Sequence, residues 1–334
     1  MFRCFDVLRL PFRLPRCNQV IAMTSQILPS KALLADFDKI RLSKNPQCIY
    51  SGCSAETIRS HTISKSSIRQ LNTDTIQLKT INDNLFDRIK QDDKRNVFNE
   101  CRISNVSTFY GFCKHHDASL FKPIDQFDGT ITNEIALLSH YRIVCFGLDQ
   151  IRIQLEQEKL LRVSEYAGPG SRKINEFLRK LKKGYFKKGL EIIQESYDIR
   201  KKICESIITN KHFNKISCVA FDGSPNNPLV SGRCGTYFHH HNRKLPRKFL
   251  LRMPYITYTT LHNGKNTTLL FCLLDSDNDY YEDLVTFIDP NALNIRLERL
   301  FFGHSDFCIL NEPLSGSIAE KTIKEIICTD RRIL

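Results

Sequence analysis

The stretch TFYGFCKHHD, residues 108–117, places one cysteine and two histidines within four positions, directly after an aromatic run that contains a glycine. Such a cluster of cysteine and histidine is not expected in a buried strand, whereas a metal site requires these side chains as ligands. Cys113 and His116 are separated by two residues, a spacing that suits the first turn of a helix. We therefore expect these two side chains to supply one half of a metal site.

The other half lies upstream, in QCIYSGCSAETIRSHTISKS at residues 47–66. Its two cysteines are separated by four residues, and Ser51-Gly52 supplies a turn that lets both thiolates face one ion. The set predicted for a closed structural zinc site is Cys48, Cys53, Cys113 and His116. His115 is an alternative to His116, because both rings are within reach of Cys113. The opposing interpretation is a pair of unrelated surface cysteines beside two exposed histidines.

The size and charge of the chain limit the classes of protein to consider. Its 334 residues are 41% hydrophobic, which is enough for one large core or two modest ones, and two domains are the better expectation. The formal net charge of +13 favours acidic partners, of which nucleic acid is the commonest. A solvated surface with no such partner explains the same charge.

The 13 cysteines indicate a reducing, cytoplasmic environment with free thiols rather than a disulfide framework. The sequence contains no apolar run long enough to span a bilayer, so no membrane association is expected. Residues 1–30 are expected to form a disordered basic tail. The first 22 residues, with four arginines and one acid, also resemble a mitochondrial transit peptide, and Met23 is an alternative start.

Hydrophobic patterning predicts helices first and strands later. Apolar residues recur at three and four positions through residues 131–208, on both sides of a Gly168-Pro169-Gly170 break, which predicts two long helices in an antiparallel hairpin. From about residue 213 the pattern is typical of strands. Asn263-Gly264, between β-branched runs, predicts a tight hairpin with positive φ at both central positions. The alternating acids of residues 275–279 are interpreted as a solvated acidic turn.

The order of features in residues 48–121 resembles the treble-clef zinc finger of the HNH (His-Me finger) endonucleases. The resemblance consists of a knuckle cysteine pair, a histidine in the strand-like SHTIS and a cysteine–histidine pair that opens a helix. In that family the histidine acts as general base on the water that attacks a phosphodiester, and a divalent ion stabilises the developing charge. The resemblance implies that His61 is this catalytic residue and that Mg2+ or Mn2+ assists it. Ser60 stands where many members have a second metal ligand, and the helix offers Asp117 but no later histidine.

The ligand pairs are further apart than in compact members of that family, so residues 67–104 are interpreted as an insertion. Near or within it, SKSSIRQL at residues 64–71 predicts a short helix and DTIQLKTI at residues 74–81 predicts a strand.

We expect an α+β fold class. A treble-clef zinc module with an insertion occupies residues 31–128, and a helical hairpin plus a mixed α+β domain of unknown function occupies residues 129–334.

A basic run, RKLKKGYFKK at residues 179–188, lies on the second predicted helix. The candidates for contact with a nucleic-acid backbone, through release of counterions, are Lys180, Lys182, Lys183, Lys187 and Lys188. The same residues can instead solvate one helix face.

Two functional interpretations follow. The first is a zinc-stabilised HNH-like protein that engages nucleic acid, DNA rather than RNA, and cuts it. The second is a non-catalytic zinc-finger protein that binds nucleic acid or a protein partner.

Overall fold

The architecture is mixed α+β with antiparallel sheets. A computed structural model describes residues 31–70, 78–81, 98–101, 106–163, 179, 183–225, 227–234, 256–280 and 305–310. The α-helices with assigned bounds are α1 (Lys31–Leu42), α2 (Lys65–Gln70), α3 (Lys114–Leu120), α4 (Lys122–Asp125), α5 (Asn133–Val163) and α6 (Tyr185–Asn210). Among the described residues, no helix is both long enough and apolar enough to cross a bilayer.

The strands form two antiparallel sheets. They are β1 (Arg59–His61), β2 (Leu78–Ile81), β3 (Phe98–Cys101), β4 (Thr108–Tyr110), β5 (Ile216–Gly223), β6 (Leu229–Cys234), β7 (Ile256–His262), β8 (Thr267–Leu274) and β9 (Ser305–Leu310). The small sheet pairs β1 with β4. The large sheet has the order β3-β2-β9-β6-β7-β8-β5. The short helix predicted after His61 is α2, and β2 confirms the second half of the predicted strand at residues 74–81.

The predicted hairpin in the large sheet is confirmed, but its turn differs from the prediction. Strands β7 and β8 pair from Ile256 opposite Leu273 to His262 opposite Thr267, and every residue of both strands is buried. The turn comprises the four residues 263–266. Gly264 has a φ of +90°, whereas Asn263 keeps a negative φ. The side-chain oxygen of Asn263 accepts hydrogen bonds from the backbone N–H groups of Lys265 and Asn266, at 3.0 and 2.9 Å. These bonds replace the tight two-residue turn geometry.

Helices α5 and α6 pack against each other in antiparallel directions, as the sequence predicted. Tyr141 near the start of α5 contacts Glu205 near the end of α6, and Gly147 faces Tyr197 about two turns closer to the middle of the two helices. A Cβ at Gly147 would lie 2.2 Å from a ring carbon of Tyr197, so only glycine permits this close approach. The Gly168-Pro169-Gly170 break lies outside the described residues.

Residues 109–127 and the large sheet share one hydrophobic core. Phe112 is fully buried and contacts the rings of Phe109, Phe121 and Tyr141, the last of which lies on α5. The same cluster continues to the helix-facing side chains of β8. Strands β2 and β3, from the predicted insertion, extend the edge of the large sheet through β9. The division of the chain near residue 128 remains a prediction, and these contacts cross it.

The acidic turn after β8 is not fully solvated, contrary to the prediction. Asp277 is 8% exposed and receives two hydrogen bonds from the guanidinium of Arg200 on α6, at 3.0 and 2.6 Å. Arg200 also donates to the backbone and side-chain oxygens of Ser196. A carboxylate this deep requires such a partner, because removing the partner would leave an uncompensated buried charge. The pair therefore fastens the end of β8 to α6.

Candidate metal centre

The first two ligands stand on a tight turn. The backbone N–H of Cys53 donates to the carbonyl of Tyr50 at 3.1 Å, and the N–H of Cys48 donates to the carbonyl of Ala55 at 2.9 Å. Gly52 occupies the turn with a φ of +79°. These bonds bend residues 48–55 back on themselves, so that both thiols face the same side, as the sequence predicted.

The other two ligands stand at the start of α3. Cys113 is the N-cap of this helix, and its sulfur accepts a hydrogen bond from the backbone N–H of His116 at 3.5 Å. The first helical turn places His116 above Cys113, because residues three apart share one face of a helix. Backbone bonds from Ile49 to Gly111 and from Ile58 to Phe112, at 2.7 and 2.8 Å, hold the turn against this segment.

The four predicted side chains converge on one point. The Nδ1 atom of His116 lies 3.4 Å from the sulfurs of both Cys48 and Cys113, and the sulfur of Cys53 lies 3.9 Å from that of Cys113. All four ligand atoms lie within 4.8 Å of one another. A tetrahedral zinc ion with standard bond lengths would separate two sulfurs by about 3.8 Å and sulfur from nitrogen by about 3.6 Å. The donor set therefore fits a metal ion such as zinc.

Protonation of the ligands is set by burial and by local hydrogen bonds. Burial raises the pKa of the Cys48 thiol to about 11. Burial acts in the same direction on Cys113, but hydrogen bonds from the His116 backbone and the neighbouring thiols outweigh it and lower the pKa of that thiol. Burial and the nearby His115 lower the pKa of His116, so its ring is neutral at pH 7. Metal binding would then release thiol protons and would weaken as the pH falls.

The alternative ligand His115 does not join the cluster. Its side chain is exposed, and its ring lies 5.2 Å from the His116 ring in an edge-to-face arrangement. The His116 ring instead stacks on Tyr50, with ring centroids 4.3 Å apart. This stacking fixes the imidazole plane so that Nδ1 faces the thiols.

A hydrogen-bond network from the helical pair holds the tip of the cysteine turn. Glu205 on α6 accepts the backbone N–H of Ser51 at 3.2 Å and the hydroxyl of Tyr141 at 2.6 Å. Lys201 donates to the Ser51 hydroxyl at 2.8 Å and lies 3.1 Å from Glu205. Sequence reasoning missed Glu205 and Lys201, because they lie about 150 positions from Ser51 and no local pattern marks them.

His61 is the last residue of β1, opposite Thr108 of β4, and is partly exposed. Side chains alternate along a strand, so His61 shares one face with Arg59, whose Nε donates to the Tyr110 hydroxyl at 3.0 Å. Ser60 is buried on the opposite face. The structure thus places His61 in the two-stranded sheet of β1 and β4, whose strands are separated along the chain by residues 62–107.

Asp117 on α3 and Asp125 on α4 both face a buried cation. Arg142 on α5 lies 4.0 Å from a carboxylate oxygen of Asp117 and 3.6 Å from one of Asp125. Its guanidinium also lies over the Phe121 ring, 4.0 Å from the centroid. Asp125 further accepts a hydrogen bond from Ser64, three residues after His61, at 2.9 Å. A single guanidinium thus faces both carboxylates and offsets the charge of one of them.

The predicted basic run is described in part. Lys183, Lys187 and Lys188 are exposed at the start of α6, and Lys187 lies 3.5 Å from Glu191 on the same helix. Lys180 and Lys182 lie outside the described residues. The run is separated along the chain from the metal centre, and its contact with nucleic acid remains a prediction.

Within the part of the chain that the structure describes, the Cys3His set is the one group of three or more His, Cys, Asp or Glu side chains close enough to hold an ion. No protein-family model, no curated protein and no solved structure matches this chain. The function is therefore argued from the residues and their geometry.

Proposed function

We propose that this chain is a zinc-stabilised, HNH-like protein that engages nucleic acid. The observation that carries the proposal is the convergence of Cys48, Cys53, Cys113 and His116 within 4.8 Å, in a chain of net charge +13. Three thiolates and one imidazole would fill all four coordination positions of a zinc ion, which is the arrangement of structural zinc sites.

The order of elements supports a treble clef. A cysteine turn comes first, an antiparallel pair of strands follows, and a helix then begins at the third ligand. In this proposal the zinc adds to the shared hydrophobic core, in which Cys48 and Cys113 are themselves buried. The ligands anchor the turn to α3, and Glu205 anchors the same turn to α6.

The proposal is tested by metal content and by binding. Purified protein should carry about one zinc per chain, and a labelled DNA duplex should bind with an affinity that falls steeply as salt rises. A Cys48→Ser variant should lose the zinc, whereas Cys204→Ser, a buried thiol outside the cluster, should retain it. Zinc-free wild-type protein purified under reducing conditions, or duplex binding insensitive to salt, would contradict the proposal.

The catalytic extension is that His61 acts as general base in phosphodiester hydrolysis. Its support is its position on β1, which lies along the chain between the two ligand pairs and pairs with β4. The described residues do not assemble a second cluster for Mg2+ or Mn2+ beside His61, so we derive no step through such an ion. Plasmid cleavage in the presence of Mg2+ or Mn2+ tests the extension. His61→Ala should abolish cleavage, and His115→Ala, an exposed histidine on the same finger, should not.

A non-catalytic role is the second candidate, and a specific observation favours it. Asp117 and Asp125, on α3 and α4, face the guanidinium of Arg142. A guanidinium beside two carboxylates lowers their affinity for a divalent ion, because it offsets part of their negative charge. In this case the finger is a structural element of a nucleic-acid-binding or protein-binding molecule. Wild-type protein that binds duplex but leaves it intact with either ion would support this candidate.

A further inference from the structure

We infer that Glu205 on α6 is a positioning residue of the metal centre, because it holds the tip of the cysteine turn where Cys53 can reach the ion. The inference rests on the proposed zinc site and deepens it. It makes the zinc affinity depend on a residue of the helical pair, 154 positions along the chain from the Ser51 backbone that it binds.

The tip of the cysteine turn is bound to α6 through Ser51. The hydrogen bond that closes the turn joins the N–H of Cys53 to the carbonyl of Tyr50, so it does not use the N–H of Ser51. The Oε1 atom of Glu205 accepts that N–H at 3.2 Å. The Ser51 hydroxyl accepts a hydrogen bond from Nζ of Lys201 at 2.8 Å. The backbone N–H and the side chain of Ser51 are therefore both bound to α6.

Glu205 is itself fixed by both long helices. Its side chain is 10% exposed, and its Oε1 atom also accepts the hydroxyl of Tyr141 on α5, at 2.6 Å. Nζ of Lys201, one turn earlier on α6, lies 3.1 Å from the same oxygen and 3.3 Å from Oε2. Hydrogen bonds to an ionised group are shorter and stronger than those between neutral groups. The turn is thus tied to a rigid support rather than to a mobile side chain.

Cys53 is the ligand that depends most on this support. Cys48 and Cys113 are buried in the shared core, whereas Cys53 is only partly buried. Core packing therefore restrains the first two thiols, and the turn places Cys53, which follows Ser51 by two residues. Metal–ligand distances tolerate only about 0.2 Å. A small shift of the tip is therefore enough to weaken the bond from the Cys53 sulfur to the ion.

The test measures the zinc affinity of the full chain by competition with a chromophoric chelator, well below the unfolding temperature. Glu205→Gln keeps the size of the side chain and replaces one acceptor oxygen by a donor that faces Lys201. The matched control is Asp277→Asn, the same carboxylate-to-amide change in a side chain that is also 10% exposed and is paired with Arg200 of α6. We expect the zinc dissociation constant to rise about 10–100-fold in Glu205→Gln and by less than about threefold in Asp277→Asn.

The unfolding temperature of the zinc-free protein separates positioning from general stability. Glu205→Gln and Asp277→Asn both break an ion pair of α6 that is shielded from solvent, so both should lower this temperature. Only Glu205→Gln should also weaken zinc binding by the folded protein. Equal losses of zinc affinity in the two variants would show that affinity follows the stability of α6, and would overturn the inference.

Tyr141→Phe keeps the inference testable if Glu205→Gln does not fold. It removes the hydroxyl that orients Glu205 and retains the buried ring, so the two helices keep their packing. Loss of this hydrogen bond should raise the zinc dissociation constant about 2–10-fold. A dissociation constant equal to that of the wild type would contradict the inference.

The coupling is reciprocal, so zinc should also stabilise the attachment of α6 to the cysteine turn. Removal of zinc from the wild type should speed amide hydrogen exchange at Ser51 and in the part of α6 around Glu205. The same treatment should have a smaller effect in Glu205→Gln, in which the link is already weakened. Exchange in α6 that does not respond to zinc removal would contradict the inference.

Failure of the proposed function would give a different result. Wild-type protein that neither carries zinc nor takes it up under reducing conditions would overturn the zinc site and the inference together. Wild-type protein that binds zinc, with Glu205→Gln within about threefold of its affinity, would overturn the role of Glu205 alone.

Discussion

Replacement of Cys113 by serine should abolish metal binding while preserving the local helix start. Cys113 has two roles, because its sulfur both lies in the ligand cluster and caps α3 by accepting the His116 backbone N–H. Serine is a good N-cap and a poor zinc ligand, so Cys113→Ser separates the two roles. We expect the variant to retain α3 and to lose the zinc.

The magnitude follows from linkage between binding and folding. Free zinc at about 1,000 times its dissociation constant stabilises the folded state by about 4 kcal/mol. For a domain of this size each kcal/mol corresponds to about 2–4 °C in unfolding temperature. The variant should therefore unfold about 8–16 °C below the wild type. Cys113 is buried in the core cluster that also contains residues of α5. The loss of stability should therefore arise where the cysteine turn packs near α5.

The assay combines zinc quantification with thermal unfolding, each with and without a chelator. Chelation should lower the unfolding temperature of the wild type to that of Cys113→Ser and should not affect the variant. Cys145→Ala is the matched control, since this fully buried thiol lies outside the cluster and its loss should leave zinc content and chelator sensitivity intact. A Cys113→Ser protein that keeps one zinc and responds to chelator would refute the reasoning.

Three further predictions concern the packing around the site. Phe112→Ala should cost about 3–5 kcal/mol of unfolding free energy in urea titrations, because the ring is fully buried in the shared core; a loss below about 1 kcal/mol would contradict that burial. Gly147→Ala should destabilise by about 1–2 kcal/mol in the same titrations, since the added methyl clashes with the buried Tyr197 ring and outweighs the gain in helix propensity; stabilisation would show that the helices are further apart. Burial, aided by Arg200, lowers the pKa of His140 from 6.5 to about 3, so the unfolded state takes up a proton first as the pH falls. Unfolding free energy should therefore decrease below about pH 6.5, by up to about 1.4 kcal/mol per pH unit from this group, and the difference between wild type and His140→Gln should show that slope.

The metal ligands were predictable because their chemistry is local. Cysteine pairs on a turn and a cysteine–histidine pair at a helix start are short-range patterns, and the distances among His116, Cys48 and Cys113 agree with the prediction. The β7–β8 hairpin was predictable for the same reason, since turn residues and β-branched runs are adjacent in sequence. The details of its turn were not, because the Asn263 side chain competes for backbone N–H groups.

The partners of the site were not predictable. Glu205 and Lys201 reach Ser51 from about 150 positions away, and Arg142 meets Asp117 and Asp125 only because α5 passes beneath α3 and α4. The solvated turn predicted at residues 275–279 failed for a related reason, since the sequence does not show that Arg200 reaches Asp277. Long-range pairs of this kind depend on packing, for which single-sequence patterns carry no signal.

The sequence by itself determined the ligand types, the alternation of helix and strand patterns and the excess of positive charge, because each follows from residue identity and short-range spacing. Only the tertiary structure decided that residues 109–127 and the large sheet share one core, and that β2 and β3 extend this sheet. Only the tertiary structure decided which carboxylates face a buried guanidinium and which cations stay exposed. The physical reason is that desolvation and ion pairing depend on distances between residues far apart in the chain, and folding alone sets those distances.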